Sequence, residues 1–405
     1  MSATAAARLR VVGRTDDGDP DTAVAAALWT VVTEPGDAVA GHLVAALGAV
    51  DALRLVTRGD DALRIADACR ARVPVADEDH RELVQALVAA LARWAPRLRH
   101  LDPDRVLDAA AAVGARLLVP GDRDWPERLA DLGPHAPLAL WVRSTAPPAS
   151  WWASAPSLAV VGSRAETPYG AETAADLASA AADAGVLVVS GGAHGIDAVA
   201  HRVALAAGTP TVAVLAGGVD QLYPAANVEL LHRVMRRGAV VAEAPPGVRP
   251  TRWRFLQRNR LIAALADAVV VVEAGARSGA LNTAHHAAQL GRPVLAVPGP
   301  LTSPSSVGCH RLVSSGRATL LTAPADAVRA VSGPDADGGP LRIRSAQDDP
   351  ELLRVLDALS RRAGLSVDEV ARRSGLGTAA TEDALALAEL EGRAERHRTG
   401  WRLVP

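Results

Sequence analysis

LAVVGSRAETPYGAETAADLASAAADAGVLVVSGGAHGIDAVAH, residues 158–201, is the stretch on which the fold turns. Two Val-rich runs, LAVVG (158–162) and VLVVS (186–190), flank a segment of helical composition, and each run leads straight into glycine. A short continuous apolar run bounded by turn residues reads as a strand covered on both faces. The alternation continues downstream with TVAVLAG (211–217), AVVAE (239–243), AVVVVE (268–273) and PVLAVPG (293–299), again with helical stretches between. Strands alternating with helices form a parallel sheet joined by right-handed crossovers. The expected fold class is therefore α/β, a doubly wound Rossmann-like parallel sheet.

Working outward, residues 21–100 read as helices. AGHLVAALGAVDALRLV (40–56) and HRELVQALVAALARWAPRL (80–98) carry apolar residues at three-to-four spacing. The break at Glu34–Gly36 suggests a helical hairpin. Residues 1–20 are polar and read as a loose tail. SGPDADGGP (332–340) has linker composition. Three short helices are expected over 350–390, then a small hairpin over 392–404 with its turn near Arg398–Gly400.

A chain of 405 residues has room for two or three domains. With 49% apolar and 22% charged residues it is a globular sequence rather than a disordered one. All 43 basic residues are Arg, and the net charge is −2. Residues 158–330 nevertheless hold 15 Arg against 11 acids, so the central segment leans toward an anionic partner. Cys69 and Cys309, far apart, build neither a disulfide framework nor a cysteine zinc site. No apolar run is long enough for a membrane span, and residues 1–20 lack the apolar core of a signal peptide, so the expected compartment is the cytoplasm.

In open parallel sheets the ligand binds beyond the carboxyl ends of the strands. Here those ends carry Gly162-Ser163-Arg164, Ser190-Gly191-Gly192, Gly217-Gly218, Arg277-Ser278-Gly279 and Pro298-Gly299-Pro300. Glycine lets a backbone come close to a ligand, and a helix N-terminus offers N–H donors, so each loop is a phosphate-cradle candidate. A single glycine turn is ordinary strand–helix chemistry, but five on one rim suit a phosphodiester chain. The dinucleotide reading fails twice. The first loop is G-S-R-x5-G rather than G-x-G-x-x-G, and the second strand ends in Ser190 rather than in an acid for a ribose. A P-loop is excluded because the chain has no Lys. No cofactor is called for.

VRPTRWRFLQRNR (248–260) holds five arginines, no acid, and the aromatics Trp253 and Phe255. Arginine interleaved with aromatics is the composition of a single-strand nucleic-acid surface, guanidinium on phosphate and ring on base. The bland reading is a solvated basic face. His194 and His201 could share a helix face, but no carboxylate stands at metal-ligand spacing, and no Ser-His-Asp or Cys-His set can be assembled. Asp197 is expected in the first turn of a helix, complementing its dipole.

Taken together, GSRAETPYG (162–170), SGGAHGIDAVAH (190–201), GGVDQLYPAAN (217–227), FLQRNRLI (255–262), VEAGARSGALNTAHHAAQLGRPVLAVPG (272–299) and GCHRLVSSG (308–316) resemble the bacterial DNA-processing protein A family (DprA, also called Smf). The order and spacing fit over about half of the chain. Departures are Gly192 for an apolar residue, Leu256 for Pro, His285 for a longer basic residue and His310 for Asn. The resemblance implies an N-terminal helical (SAM- or HhH-like) domain over 21–110, a Rossmann-like DNA-binding domain over 111–331, a linker over 332–345 and a winged-helix-like domain over 346–405. It implies a non-catalytic protein that binds and protects single-stranded DNA, forms a homodimer through the Rossmann-like domain, and assists loading of the RecA recombinase, as in natural transformation. The positions it assigns to DNA are Gly162, Ser163, Arg164, Gly191, Gly192, Arg252, Phe255, Arg258, Asn259, Arg260, Ser278 and Gly279, with Gly162, Ser163, Gly191 and Gly192 supplying backbone N–H groups.

Two rivals stand beside this reading. One is an enzyme of the nucleotide phosphoribohydrolase type on the same scaffold, although EAGARSGALNTAHHA lacks the PGG-x-GT-x-x-E pattern of that group. The other is a scaffold whose main ligand is a protein. The last helix, TAATEDALALAELEG (378–392), carries four acids and no Arg, so the C-terminal domain is expected to touch protein, or DNA only through the hairpin 393–402.

Overall fold

Aspartates start most of the N-terminal helices. Asp19, Asp37, Asp61 and Asp102 each accept hydrogen bonds from the first-turn amides of α1 (Pro20–Val32), α2 (Ala38–Leu47), α4 (Ala62–Arg72) and α6 (Pro103–Ala112). Between them lie α3 (Ala49–Arg58) and the long α5 (Asp77–Leu98). Trp29 and Trp94 meet edge to face at 5.4 Å in the middle of this helical part. The computed structural model describes residues 9, 12, 19–74, 76–145, 152, 155–332, 350–360, 363–390, 393–397 and 400–404. Most of the expected tail, the linker beyond Ser332 and residues 398–399 of the hairpin turn lie outside the described residues.

Two short strands, β1 (Arg116–Leu118) and β2 (Leu140–Arg143), come before the Val-rich runs and pair antiparallel. The six runs then form β3 (Ser157–Val161), β4 (Leu187–Ser190), β5 (Thr211–Leu215), β6 (Ala239–Ala242), β7 (Ala268–Val271) and β8 (Val294–Ala296), followed by the two-residue β9 (Thr319–Leu320). The sheet order is β1-β2-β6-β5-β4-β3-β7-β8-β9. Neighbours from β6 to β9 are parallel, and β2 adds antiparallel to β6. The chain builds outward from β3 in one direction and then returns to lay β7 on its other side. That reversal makes the crevice between the β3 and β7 loops the topological switch point.

Alternate residues of each strand face opposite ways. Leu158 and Val160 pack with α7 (Pro168–Asp183), α8 (Ile196–Ala206) and, beyond β9, α13 (Pro324–Ser332). Ala159 and Val161 pack with α10 (Arg252–Leu265), α11 (Ala280–Gln289) and α12 (Val307–Ser314). The remaining crossover helix, α9 (Val228–Arg237), shares a core with β5, β6 and the N-terminal helices. The helical part joins the sheet at its antiparallel edge, where Trp141 Nε1 donates to Thr30 Oγ1 at 3.2 Å.

The chain divides into two compact units, between residues 336 and 337. The second holds α14 (Pro350–Ala358), α15 (Val367–Ser374), α16 (Thr378–Leu390) and the hairpin β10 (Ala394–His397) and β11 (Gly400–Leu403), around Val355, Val370, Leu385 and Trp401. Within that hairpin Arg402 pairs with Glu395 at 2.6 Å and Arg396 lies 4.8 Å over the Trp401 ring. Among the described residues no single helix is long and apolar enough to cross a membrane. The bent pair α2–α3 would be so by length and composition together, and its Leu43, Leu47, Leu53 and Val56 are buried in the core.

Candidate nucleic-acid interface

A groove of about 820 Å3 opens at the switch point, between the β3 loop, the β7–α11 loop and the first turns of α10. Nine of the twelve residues expected at DNA line it: Gly162, Ser163, Arg164, Arg252, Phe255, Arg258, Asn259, Ser278 and Gly279. Arg164 and Arg252 are exposed. The Arg164 guanidinium lies 4.9 Å from the Phe255 ring centroid and that of Arg258 lies 5.8 Å from it, both within cation–π range.

Arg258 forms the floor and is 5% exposed. Its Nη1 donates to the carbonyls of Gly191, at 2.8 Å, and Val214, and its Nε donates to Asn259 Oδ1 at 3.2 Å. Burial brings the guanidinium down to about 10, with Arg164 adding to the fall and Asp197 opposing it, so Arg258 remains a cation at neutral pH. Gly191 is glycine because of this arginine: a Cβ there would sit 2.6 Å from both Nη atoms. Asn259 fastens α10 to the far wall, its Nδ2 donating to Gly279 O and Asn282 Oδ1, both at 3.2 Å. Burial pushes the Asp197 carboxyl up, against the pull of Arg258 and of the amides it accepts. His201, beneath the same floor, is held neutral: burial, then Arg258, push it down to about 3. Its Nδ1 lies 2.8 Å from Thr211 Oγ1, and Thr211 donates to Val188 O. His194 and His201 do not share a helix face, because His194 precedes α8 and is exposed while His201 is buried.

Three of the expected DNA contacts are placed elsewhere. Arg260 is 2% exposed and turns away from Arg258 to the other side of α10. It donates to Glu243 at 2.8 Å and to His135 O at 2.9 Å, while Glu243 accepts from Gly36 N at 3.0 Å. Gly191 and Gly192 are buried under the rim and do not line the groove. The Gly191 amide and that of Ala193 are directed at Asp197 Oδ2, at 3.2 and 3.3 Å. The amide of Ile196, opening α8, goes to Ser163 O. At the end of β3 the pattern repeats: Glu273, 2% exposed, accepts from Thr167 N at 3.1 Å and Thr167 Oγ1 at 2.6 Å, at the start of α7. The amides of Gly191, Ala193 and Thr167 are thus already taken by the protein's own carboxylates. Arg254, one of the five arginines of 248–260, also leaves the groove. It makes a two-pronged contact with Glu34, both bonds at 2.8 Å, and Arg97 joins the same carboxylate. Against the upward push of burial, these two arginines hold the Glu34 carboxyl below its usual range.

Sequence comparison fits this architecture. Residues 116–332 match the family model described as DNA recombination-mediator protein A, and residues 342–400 match the DprA winged helix domain. A protein of Mycobacterium tuberculosis named "Putative DNA processing protein DprA" is 42% identical over 408 residues, covering 95% of both chains. This chain belongs to the DNA-processing protein A family. DprA of Streptococcus pneumoniae is 41% identical over 171 residues, 42% of this chain and 60% of that one. Its crystal structure aligns with a TM-score of 0.54 and 31% identity, covering 66% of this chain and 86% of that chain. A Helicobacter pylori structure described by its "unique single-stranded DNA binding mode" aligns at a TM-score of 0.48 and 25% identity.

In this DprA-family groove two further lining residues, outside the twelve positions assigned to DNA, carry side chains suited to a polynucleotide. Arg277 stands beside Ser278 and Gly279 and is exposed, a basic residue in a glycine turn that the run at 248–260 overshadowed. Tyr223, from the β5–α9 loop, is 49% exposed and meets Phe255 at 5.6 Å between centroids. Its signal was legible: it is one of four aromatics between residues 158 and 330, none of them in a strand.

Proposed function

We propose that the protein binds single-stranded DNA in the switch-point groove without catalysing a reaction on it, protects that strand, and assists its transfer to a RecA-type recombinase in recombination and natural transformation. The observation that carries this reading is the inventory of the groove. Arg164, Arg252, Arg258 and Arg277 line it with aromatic rings between them, while the amides of Gly191, Ala193 and Thr167 are occupied by Asp197 and Glu273. Cationic side chains along an open groove suit a backbone with a charge at every step. Asp197, the one carboxylate among the described lining residues, accepts from two amides within the field of Arg258, which leaves it poorly placed for the acid–base work of the phosphoribohydrolase rival. The family resemblance supports the RecA role, a cytoplasmic setting and a homodimer through the Rossmann-like domain. Analytical ultracentrifugation and a strand-exchange assay with RecA address those parts.

A salt titration with single- and double-stranded oligonucleotides tests the core of the proposal. Each phosphate neutralised contributes a slope of about 0.7 in log K against log salt for single strands. Arg164→Ala is expected to lower the slope by about that amount with folding stability unchanged. Slopes identical in the wild type and the variant overturn the groove as the binding site.

A further inference from the structure

We propose that the end of the sheet opposite the groove carries a second anion site, built by Arg233 and Arg237 of α9, which holds polynucleotide backbone beyond the stretch bound in the groove. The inference rests on the single-strand reading above and extends it to a second stretch of the same polymer. α9 runs from the carboxyl end of β5 to the amino end of β6, so its last turn lies a sheet's height away from the groove. Gly238, just past that turn, packs on the first residue of β5: a Cβ there would sit 2.0 Å from Thr211 O. Arg233, Arg236 and Arg237 surround a pocket of about 280 Å3 whose apolar wall is Leu205, near the end of α8. Arg202 is exposed three residues before Leu205, on the same side of α8.

The two helices hold two acids. Asp197 is buried under the groove, and Glu229 accepts from Arg236 at 3.1 Å. Arg233 and Arg237 are exposed and, among the described residues, have no hydrogen bond or ion pair. Cations in a last turn complement the helix dipole, which accounts for Arg236 and Arg237. That attraction fades beyond the last turn, so it accounts neither for Arg233 nor for Arg202 on another helix. Arg233 and Arg237 stand one turn apart, about 5–6 Å between Cβ atoms, in a row that successive phosphates can follow. A protein partner would need an apolar anchor point, but Leu205 is 6% exposed and no aromatic lines the pocket. A polynucleotide needs none, because counterion release alone binds it. β5 has five residues, so about 16 Å of sheet, with its loops in addition, separates the two sites. A strand that fills only the groove cannot reach the second.

The test uses the full chain and two oligo-dT strands, one of about 8 nucleotides, within the range a single groove occupies, and one several times longer. Each is titrated with salt against the wild type, Arg164→Ala, and the double variants Arg233→Gln, Arg237→Gln and Arg233→Lys, Arg237→Lys. The glutamine pair is expected to lower the slope for the long strand by about 1.4, two phosphates at about 0.7 each, and to leave the short-strand slope in place. The lysine pair keeps both slopes, and Arg164→Ala lowers both. The assignment is overturned if the glutamine pair leaves the long-strand slope unchanged. It is equally overturned if both strands lose the same amount, since the arginines then act only through the overall charge. Poly-glutamate of equal charge bound at these arginines more tightly than the long strand would hand the pocket to an acidic protein. Calorimetric binding of inorganic pyrophosphate that the glutamine pair abolishes, with the long-strand slope unmoved, would hand it to a small phosphate. Failure of the wild type to bind either strand in a salt-dependent way would instead remove the single-strand reading, and this extension with it.

Discussion

Replacing Arg260 separates an arginine held by the protein's own groups from the groove arginine proposed to meet DNA, although both belong to the same RNR triplet. Arg260→Met removes a cation that is 2% exposed and leaves Glu243, itself 8% exposed, without its charge partner. Breaking a buried ion pair in this way costs about 3–5 kcal/mol. The same change deletes the bond to His135 O and loosens the Glu243 carboxylate that receives Gly36 N, so the tie between the helical hairpin and α10 weakens. In the double variant Arg260→Met, Glu243→Leu no charge is left buried. Exchanging a whole pair for apolar groups is often neutral, but the Gly36 amide then lacks its acceptor, so a residual deficit of about 1–3 kcal/mol is expected. Urea denaturation followed by circular dichroism reads both numbers. Oligo-dT binding by the folded single variant, measured across salt, should keep the wild-type slope. If Arg260→Met leaves stability within about 1 kcal/mol of wild type and lowers the slope by about 0.7, Arg260 is a phosphate contact and its role as the buried partner of Glu243 is wrong.

Three further outcomes follow from other parts of the structure. Gly191→Ala should destabilise the protein by about 2–4 kcal/mol in denaturant titrations, because the new methyl displaces a guanidinium that is bonded to two carbonyls and buried. His201 is neutral when folded, down to about pH 3, but takes up a proton near pH 6.5 when unfolded. Acidification below 6.5 therefore favours the unfolded state. Stability should fall by up to about 1.4 kcal/mol per pH unit, roughly 2 kcal/mol at pH 5, and His201→Gln should flatten that slope in parallel urea titrations at pH 7 and 5. Deleting residues 341–405 should leave most single-strand affinity in place, since α16 carries no arginine and Arg402 is paired with Glu395; a loss beyond about tenfold would show that the C-terminal unit holds DNA.

Much of the fold follows from local chemistry. Val-rich runs of four to six residues can be buried on both faces only in a parallel sheet with helices on each side, and all six runs became such strands. In the structure Thr167 and Ser366 cap the starts of α7 and α15 with their side chains. β1, β2 and β9 were illegible, because two to four residues without alternation carry no period and are recruited by neighbours already in place.

The site divides in the same manner. Composition alone marked 248–260 as the basic, aromatic segment, and glycine turns at strand ends marked the rim. Which arginine does what was decided by the turn of a helix, about 100° per residue. That rotation sends Arg252, Phe255 and Asn259 into the groove and Arg254 and Arg260 to Glu34 and Glu243. Those acids lie in segments remote in sequence, so only the folded chain shows them as partners. For the same reason the amides at Gly191 and Thr167 look open in the sequence and are closed in the structure: their acceptors, Asp197 and Glu273, arrive with the packing of a helix and a neighbouring strand.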